Sequence, residues 1–161
     1  MKLILNNIEK NFGEKSVLRG CSCEFEQGKI YGLLGRNGAG KTTLFNSIYG
    51  EYKDVKGQAL IEDCDTQRIL QSDDVELIYA QPMLPEFLTG YEFIKFYCDV
   101  HAKENDINIP ELFGCLSFDA KDANRIIKAY SSGMKSKLHI MTLIISKPKI
   151  MLLDEPLTSL D

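Results

Sequence analysis

Residues 35–42 read Gly-Arg-Asn-Gly-Ala-Gly-Lys-Thr and are followed by a second threonine, Thr43. This run completes the pattern G-x-x-x-x-G-K-[ST] at Gly35, Gly40, Lys41 and Thr42, and it restricts the local fold more than any other stretch of the chain. Glycines let backbone N–H groups close around a phosphate. A lysine supplies positive charge, and a threonine hydroxyl can ligate Mg²⁺. Arg36, Asn37, Gly38 and Ala39 lie within the loop and belong to the same candidate cradle as Thr43. The pattern demands a strand before it and a helix after it, whose positive dipole end faces the anion. Residues 29–34, Lys-Ile-Tyr-Gly-Leu-Leu, predict that strand. Leu44, Phe45 and Ile48 recur at helical spacing, and Gly50 is placed to stop the helix. A generic flexible glycine loop has no need of Lys and Thr in these places.

The 161 residues suffice for one domain with a core, and the apolar fraction of 44% is ordinary for a globular chain. A net charge of −4 gives no reason to expect nucleic acid or an anionic membrane as partner. No apolar run reaches membrane-spanning length, and the N-terminus is too short in its apolar part for a signal peptide. The five cysteines form no C-x-x-C pair. Cys21 and Cys23, two apart on an expected strand, read as small buried hydrophobes in a reducing cytoplasm.

Residues 2–8, 17–25, 57–62 and 75–80 read as further strands, so the chain up to Ala80 is mainly β. Thr89 and Glu92 make a T-x-x-E capping box that opens a helix with Phe93, Phe96, Tyr97 and Val100 on one face. Residues 101–125 predict short helices and connections. Ser131 or Ser132 caps another helix with a stripe of Met134, Leu138, Met141 and Ile145, ended by Pro148. Residues 149–154 are continuously apolar up to Asp154, as in a parallel strand buried on both faces. An α-helical block, residues 82–147, is thus inserted into an α/β core formed by residues 1–81 and 148–161.

A phosphate loop calls for a second set of groups, because phosphoryl transfer depends on a metal and on a residue that orients or deprotonates the attacking water. Asp154 and Glu155 stand at a strand end, where ligand sites of α/β sheets lie. Asp154 suits a Mg²⁺ shell and Glu155 a general base. Phe12 precedes Gly13 in a turn, which can leave its ring exposed enough to stack on a base. Gln81 follows the strand 78–80 and can reach water or Mg²⁺ through its amide oxygen. Residues 131–149 hold four lysines and no acid, and open on Ser131 and Gly133, a candidate anion site at a helix N-terminus.

Together, and in this order along essentially the whole chain, these elements resemble the ATP-binding cassette (ABC) ATPase family. Residues 35–42 look like the Walker A loop, and residues 150–155 like Walker B with its catalytic glutamate, Glu155. Gln81 is similar to the Q-loop glutamine, residues 130–134 (Tyr-Ser-Ser-Gly-Met) to the family signature, and residues 159–161, ending in Asp161, to the D-loop. Phe12 occupies the place of the adenine-stacking aromatic. The resemblance implies an α/β fold: a P-loop NTPase (RecA-like) core with an N-terminal antiparallel β subdomain and an inserted α-helical subdomain. It implies ATP and Mg²⁺ as cofactors, with Thr42, Gln81 and Asp154 around the metal and Lys41, Gln81 and Glu155 as catalytic groups. Ser131, Gly133 and Asp161 would contact nucleotide held by a second ABC ATPase subunit in a head-to-tail homo- or heterodimer. A separate membrane-spanning permease is the other implied partner, which places the chain on the cytoplasmic face of the membrane.

Two departures from the family pattern matter. Ser132 replaces a signature glycine and Met134 a glutamine, a Tyr-Ser-x-Gly-Met variant associated with exporters of drugs, peptides or polysaccharides. The sequence also stops at Asp161, before the strand that carries the family's switch histidine. In the family that strand lies between the phosphate-loop and Walker B strands, so this reading expects a fragment of a longer protein, a single incomplete ATPase domain over residues 1–161 with its final strands missing. Neither His101 nor His139 is placed to substitute for the switch histidine. The expected function is an ATP-hydrolysing transport subunit. A non-transport ABC ATPase acting on ribosomes or DNA, or a non-catalytic nucleotide-binding fragment, are the alternatives.

Overall fold

The structure, a computed structural model, describes residues 1–64, 66–79, 83–101 and 107–154. The chain divides into two units, Met1–Leu77 and Ile78–Asp161.

The first unit is built on a four-stranded sheet of order β2-β1-β3-β4, from β1 (Lys2–Phe12), β2 (Lys15–Glu26), β3 (Lys56–Asp63) and β4 (Thr66–Ile69). Every neighbouring pair in it is antiparallel, in keeping with the expected antiparallel β subdomain. Leu3, Leu5, Ile8, Leu18 and Ile61 alternate inward from the strands and are buried with Leu44 and Ile48 of α1 (Lys41–Tyr49). The alternation in β1 slips at Asn6–Asn7, where Asn7 has φ 53° and the register shifts. Gly57 on β3 lies against the Asn6 and Asn7 carbonyls with φ 86°, so close that a Cβ there would collide with backbone. A glycine is therefore required opposite the irregularity. As the sequence predicts, Gly50 ends α1: it adopts φ 88° and returns its N–H to the Asn46 carbonyl.

The expected strand at residues 29–34 does not form. The segment is irregular and its apolar side chains are exposed, Ile30 and Leu34 almost completely. A strand exists only through a ladder partner, and among the described residues no strand pairs with this run. Tyr31 is anchored sideways instead, its ring edge-on to Phe25 at 5.0 Å and its hydroxyl accepting from the Glu26 N–H. Strand β5 (Val75–Ile78) is shorter than predicted, since Tyr79 is already irregular and Ala80 lies outside the described residues.

The second unit is helical. It contains α2 (Gly90–His101), α3 (Ile109–Cys115), α4 (Ala120–Ala123) and α5 (Ser132–Ser146), followed by β6 (Ile150–Leu153). One core gathers Phe93, Ile94, Leu112, Phe113, Ile127, Tyr130, Leu138, Met141 and Ile145. The capping box forms as expected, with the Glu92 carboxylate accepting from the Thr89 N–H and hydroxyl, both at 2.8 Å. The α5 stripe is also as expected. The α2 face is rotated: Phe93, Ile94 and Tyr97 face the core, whereas Phe96 and Val100 are exposed. Phe93 and Ile94 together centre the contact one position away from Phe96, which helical geometry then turns outward. Helix α5 ends at Ser146 through Lys147 at φ 44°, ahead of Pro148. In β6 only Leu152 is buried, while Met151 and Leu153 are exposed, so the continuous apolar run is covered on one face rather than two. The Asp154 N–H donates to the Ile78 carbonyl at 2.8 Å. Among the described residues no helix is long and apolar enough to cross a membrane.

Candidate functional site

In the first unit the loop 35–40 leads into α1 without a side-chain cap. Gly40 is the N-cap at φ 97°, and the first intrahelical bond runs from the Leu44 N–H to the Gly40 carbonyl at 2.8 Å. The N–H groups of Lys41, Thr42 and Thr43 consequently point out of the helix end, and no acid occupies its first turn. Gly40 can hold this geometry because it has no Cβ: one placed there would sit 3.1 Å from Val17 Cγ1 and 3.3 Å from Leu18 Cδ2. The Lys41 ammonium folds back over the loop and donates to the Gly35 and Arg36 carbonyls at 3.0 and 3.3 Å. The Ala39 N–H closes the turn on the Arg36 carbonyl at 3.1 Å. Arg36, Asn37, Gly38, Ala39 and Thr42 are exposed, and Thr43 is half-buried. A cation, outward N–H groups and an exposed threonine stand at a helix end with no acid in its first turn, a donor set that fits a phosphate chain and its Mg²⁺.

Phe12 is the last residue of β1, and its ring stays 45% exposed. Lys10, two residues earlier, is opposite Leu18, the residue against which Gly40 leans. Phe12 thus stands about 7 Å along the strand from the register of the phosphate loop. Its ring is edge-to-face with Tyr52, centroids 5.5 Å apart. Tyr52 and Lys10 escape sequence reasoning because no motif marks them; an aromatic and a cation close to an expected base site are the available signal.

In the second unit the residues around the α5 N-terminus are firmly seated. Ser131 caps α5, its hydroxyl accepting from the Met134 N–H at 3.3 Å, and the helix has no acid in its first turn. Ser131 and Ser132 are exposed, and the space beside Gly133 is open. The buried Tyr130 hydroxyl donates to the Asp122 carbonyl at 2.6 Å. Gly90 passes so close to this hydroxyl that a Cβ would clash with it. Residues 86–90 are stitched to residues 125–128 by the bonds Lys128 N–H to Glu86 carbonyl, Ile127 N–H to Leu88 carbonyl and Gly90 N–H to Arg125 carbonyl. Lys135 of α5 donates to the Glu86 carboxylate at 2.6 Å, which holds that carboxyl below its usual range.

Asp154 is half-buried just beyond β6. Gln81, Glu155 and Asp161 lie outside the described residues. His139 is half-buried in α5, and burial pushes its imidazole below the ordinary range. His101 ends α2 and stacks on Tyr97 at 4.4 Å. Cys21 and Cys23 are half-buried rather than buried, since β2 is an edge strand of its sheet. The Cys23 thiol is pushed up by burial first and by Cys21 second.

This combination of fold and loop has close counterparts. The ABC transporter family matches residues 18–158. The uncharacterized ABC transporter ATP-binding protein YdbJ of Bacillus subtilis is 34% identical over 161 residues, covering 99% of this chain and 52% of YdbJ. The lantibiotic transport ATP-binding protein SrtF of Streptococcus pyogenes is 30% identical over 162 residues, covering 99% of this chain and 68% of SrtF. Among solved structures, an ATP-binding subunit of an ABC transporter superimposes with a TM-score of 0.83 at 21% identity, over 99% of this chain and 68% of its own. The chain belongs to the ABC transporter family and has the fold of its ATPase domains. It spans about half the length of the first of these relatives.

Proposed function

We propose that this chain is the nucleotide-binding part of an ATPase that drives transport through a separate membrane permease. The observation that carries the reading is the loop itself, with Lys41 drawn over the Gly35 and Arg36 carbonyls at the open N-terminus of α1. When bound, Mg-ATP supplies the phosphoryl group and the metal charge. Lys41 and the N–H groups of residues 35–43 hold its phosphates, and the Phe12 ring stacks on its base. The Thr42 hydroxyl and the Asp154 carboxylate serve the metal, Gln81 orients the water, and Glu155 takes its proton. Ser131, Gly133 and Asp161 act on nucleotide held by a second ABC subunit, identical or related.

Under the same proposal, residues 82–147 act as the helical signature subdomain of a core formed by residues 1–81 and 148–161. The permease contacts the segment around Phe87 and Tyr91. Both side chains are exposed, and the backbone bonds from residues 86–90 to residues 125–128, with Lys135–Glu86, give this segment a direct mechanical link to the start of α5. The chain then resides on the cytoplasmic face of the membrane. Export is the favoured direction, supported by the Tyr-Ser-x-Gly-Met signature and by the likeness to SrtF, which is named for lantibiotic transport.

The test pairs two substitutions in the intact protein. Lys41→Ala should weaken ATP binding by at least about tenfold, the scale of one lost charge-assisted contact. Glu155→Gln should retain binding and lower turnover by about 100-fold or more. Unchanged affinity in the first, or near-normal hydrolysis in the second, removes the assigned role.

A further inference from the structure

Lys10 is an unusual residue in the first unit: a lysine only 4% exposed, near the end of β1. A desolvated ammonium needs compensation. Its side chain pairs with the Asp54 carboxylate, whose carboxyl is held below the usual range by that bond. The ammonium also lies 4.8 Å from the Phe12 ring centroid and 4.6 Å from that of Tyr52. With the two centroids 5.5 Å apart at an interplanar angle of 87°, the three centres close a nearly equilateral triangle. Seen from the Phe12 centroid, Tyr52 and the Lys10 ammonium therefore lie in the same general direction, and the ammonium sits over the ring. The ammonium takes one face, and the exposure that Phe12 keeps leaves surface for a ligand on the other. Asn46 of α1 donates to the Tyr52 hydroxyl at 3.2 Å, which ties this cluster to the helix that opens on the phosphate loop.

We infer that Lys10, fixed by Asp54, is the positioning residue that backs Phe12 and, with Tyr52, presents its free face to the purine of a bound nucleotide. The inference rests on the proposed role of Phe12 as the base platform. Two physical effects follow from the geometry. A cation on one face draws π-density toward itself, which makes the opposite face a better surface for an electron-rich base. The edge contact with Tyr52 and the cation together limit the rotation of Phe12, so less ordering accompanies binding. An aromatic backed in this way selects for the base and leaves phosphate recognition to the loop.

The experiment compares ATP with inorganic tripolyphosphate by titration calorimetry on the intact protein and its Phe12→Ala, Lys10→Met and Lys10→Arg variants, with thermal melts as a folding control. Lys10→Met should lower ATP affinity by up to about five- to tenfold, a ceiling set by one partly desolvated cation–π contact because only its strengthening on stacking counts, and leave tripolyphosphate affinity unchanged. Lys10→Arg, which keeps the cation, should restore ATP binding. Weakening of ATP by Phe12→Ala with none by Lys10→Met overturns the positioning role alone. No effect of Phe12→Ala on ATP overturns the platform reading and this inference with it. Equal loss of both ligands in Lys10→Met also overturns the inference, because Lys10 would then act on the phosphate loop.

Discussion

The phosphate loop contains two glycines with positive φ whose surroundings differ, and the difference can be measured. Gly38 (φ 77°) and Gly40 (φ 97°) both occupy backbone conformations that cost an L-residue about 1–2 kcal/mol. Beyond that the two positions part. A Cβ on Gly38 meets nothing within 4 Å. On Gly40 it lies 3.1 Å from Val17 Cγ1, 3.3 Å from Leu18 Cδ2 and 3.6 Å from the Val17 carbonyl. The Val17 methyl can yield a few tenths of an ångström, but Leu18 is buried and the carbonyl belongs to the sheet. Crowding of this kind adds about 1–3 kcal/mol. Gly38→Ala should therefore destabilise by about 1–2 kcal/mol and Gly40→Ala by about 2–5 kcal/mol.

Urea unfolding followed by far-UV circular dichroism, with slopes compared to check that the unfolded states match, gives both values. The loop can also relieve the strain by lifting α1 away from β2. Gly40→Ala should then lose tripolyphosphate affinity out of proportion to its stability loss, whereas Gly38→Ala should lose little of either. Equal destabilisation by the two substitutions would refute the contact between Gly40 and β2 as the element that seats the loop.

Further outcomes test other elements. Tyr130→Phe removes a buried hydroxyl from the Asp122 carbonyl, which keeps the Arg125 N–H, and should therefore cost only about 0.5–1.5 kcal/mol in denaturant unfolding. Leu138→Ala in the core of the helical unit, where the side chain is 0% exposed, should cost about 2–5 kcal/mol, and a loss below about 1 kcal/mol would show that α5 is not packed as described. Glu92, whose carboxyl is lowered by the Thr89 backbone bond first and the Thr89 hydroxyl second, contributes stability that is present above the unfolded glutamate pKa of about 4.3 and lost as pH falls through the depressed folded value. Glu92→Gln should flatten that part of the acid limb in unfolding curves taken across the same range, and an unchanged limb would remove Glu92 as its source.

The parts of this molecule that are legible in its sequence are those whose geometry is decided within a few residues. The Thr89–Glu92 box, the Ser131 cap, the stop at Gly50 and the glycine pattern of residues 35–42 are local agreements between side chain and backbone, and each is found where the spacing predicts it. The elements that differ depend on a neighbour. Residues 29–34 have a strand's composition, yet a strand's hydrogen bonds are made by another segment, and no ladder among the described residues reaches this one. Phe96 has the right spacing for the α2 stripe, but which of two adjacent faces is buried is decided by Phe93 and Ile94 meeting the core. The proposed base platform divides along the same line. Phe12 can be proposed from a turn and a family position, whereas Lys10 and Tyr52 become visible only when a β-strand and the loop after α1 bring a cation and two rings together, with no two centres further apart than the 5.5 Å between the rings. Sequence spacing therefore locates the groups proposed to bind phosphate, because one loop carries them. The groups proposed to choose what the phosphate is attached to are assembled by tertiary packing, and their test lies in separating base affinity from phosphate affinity.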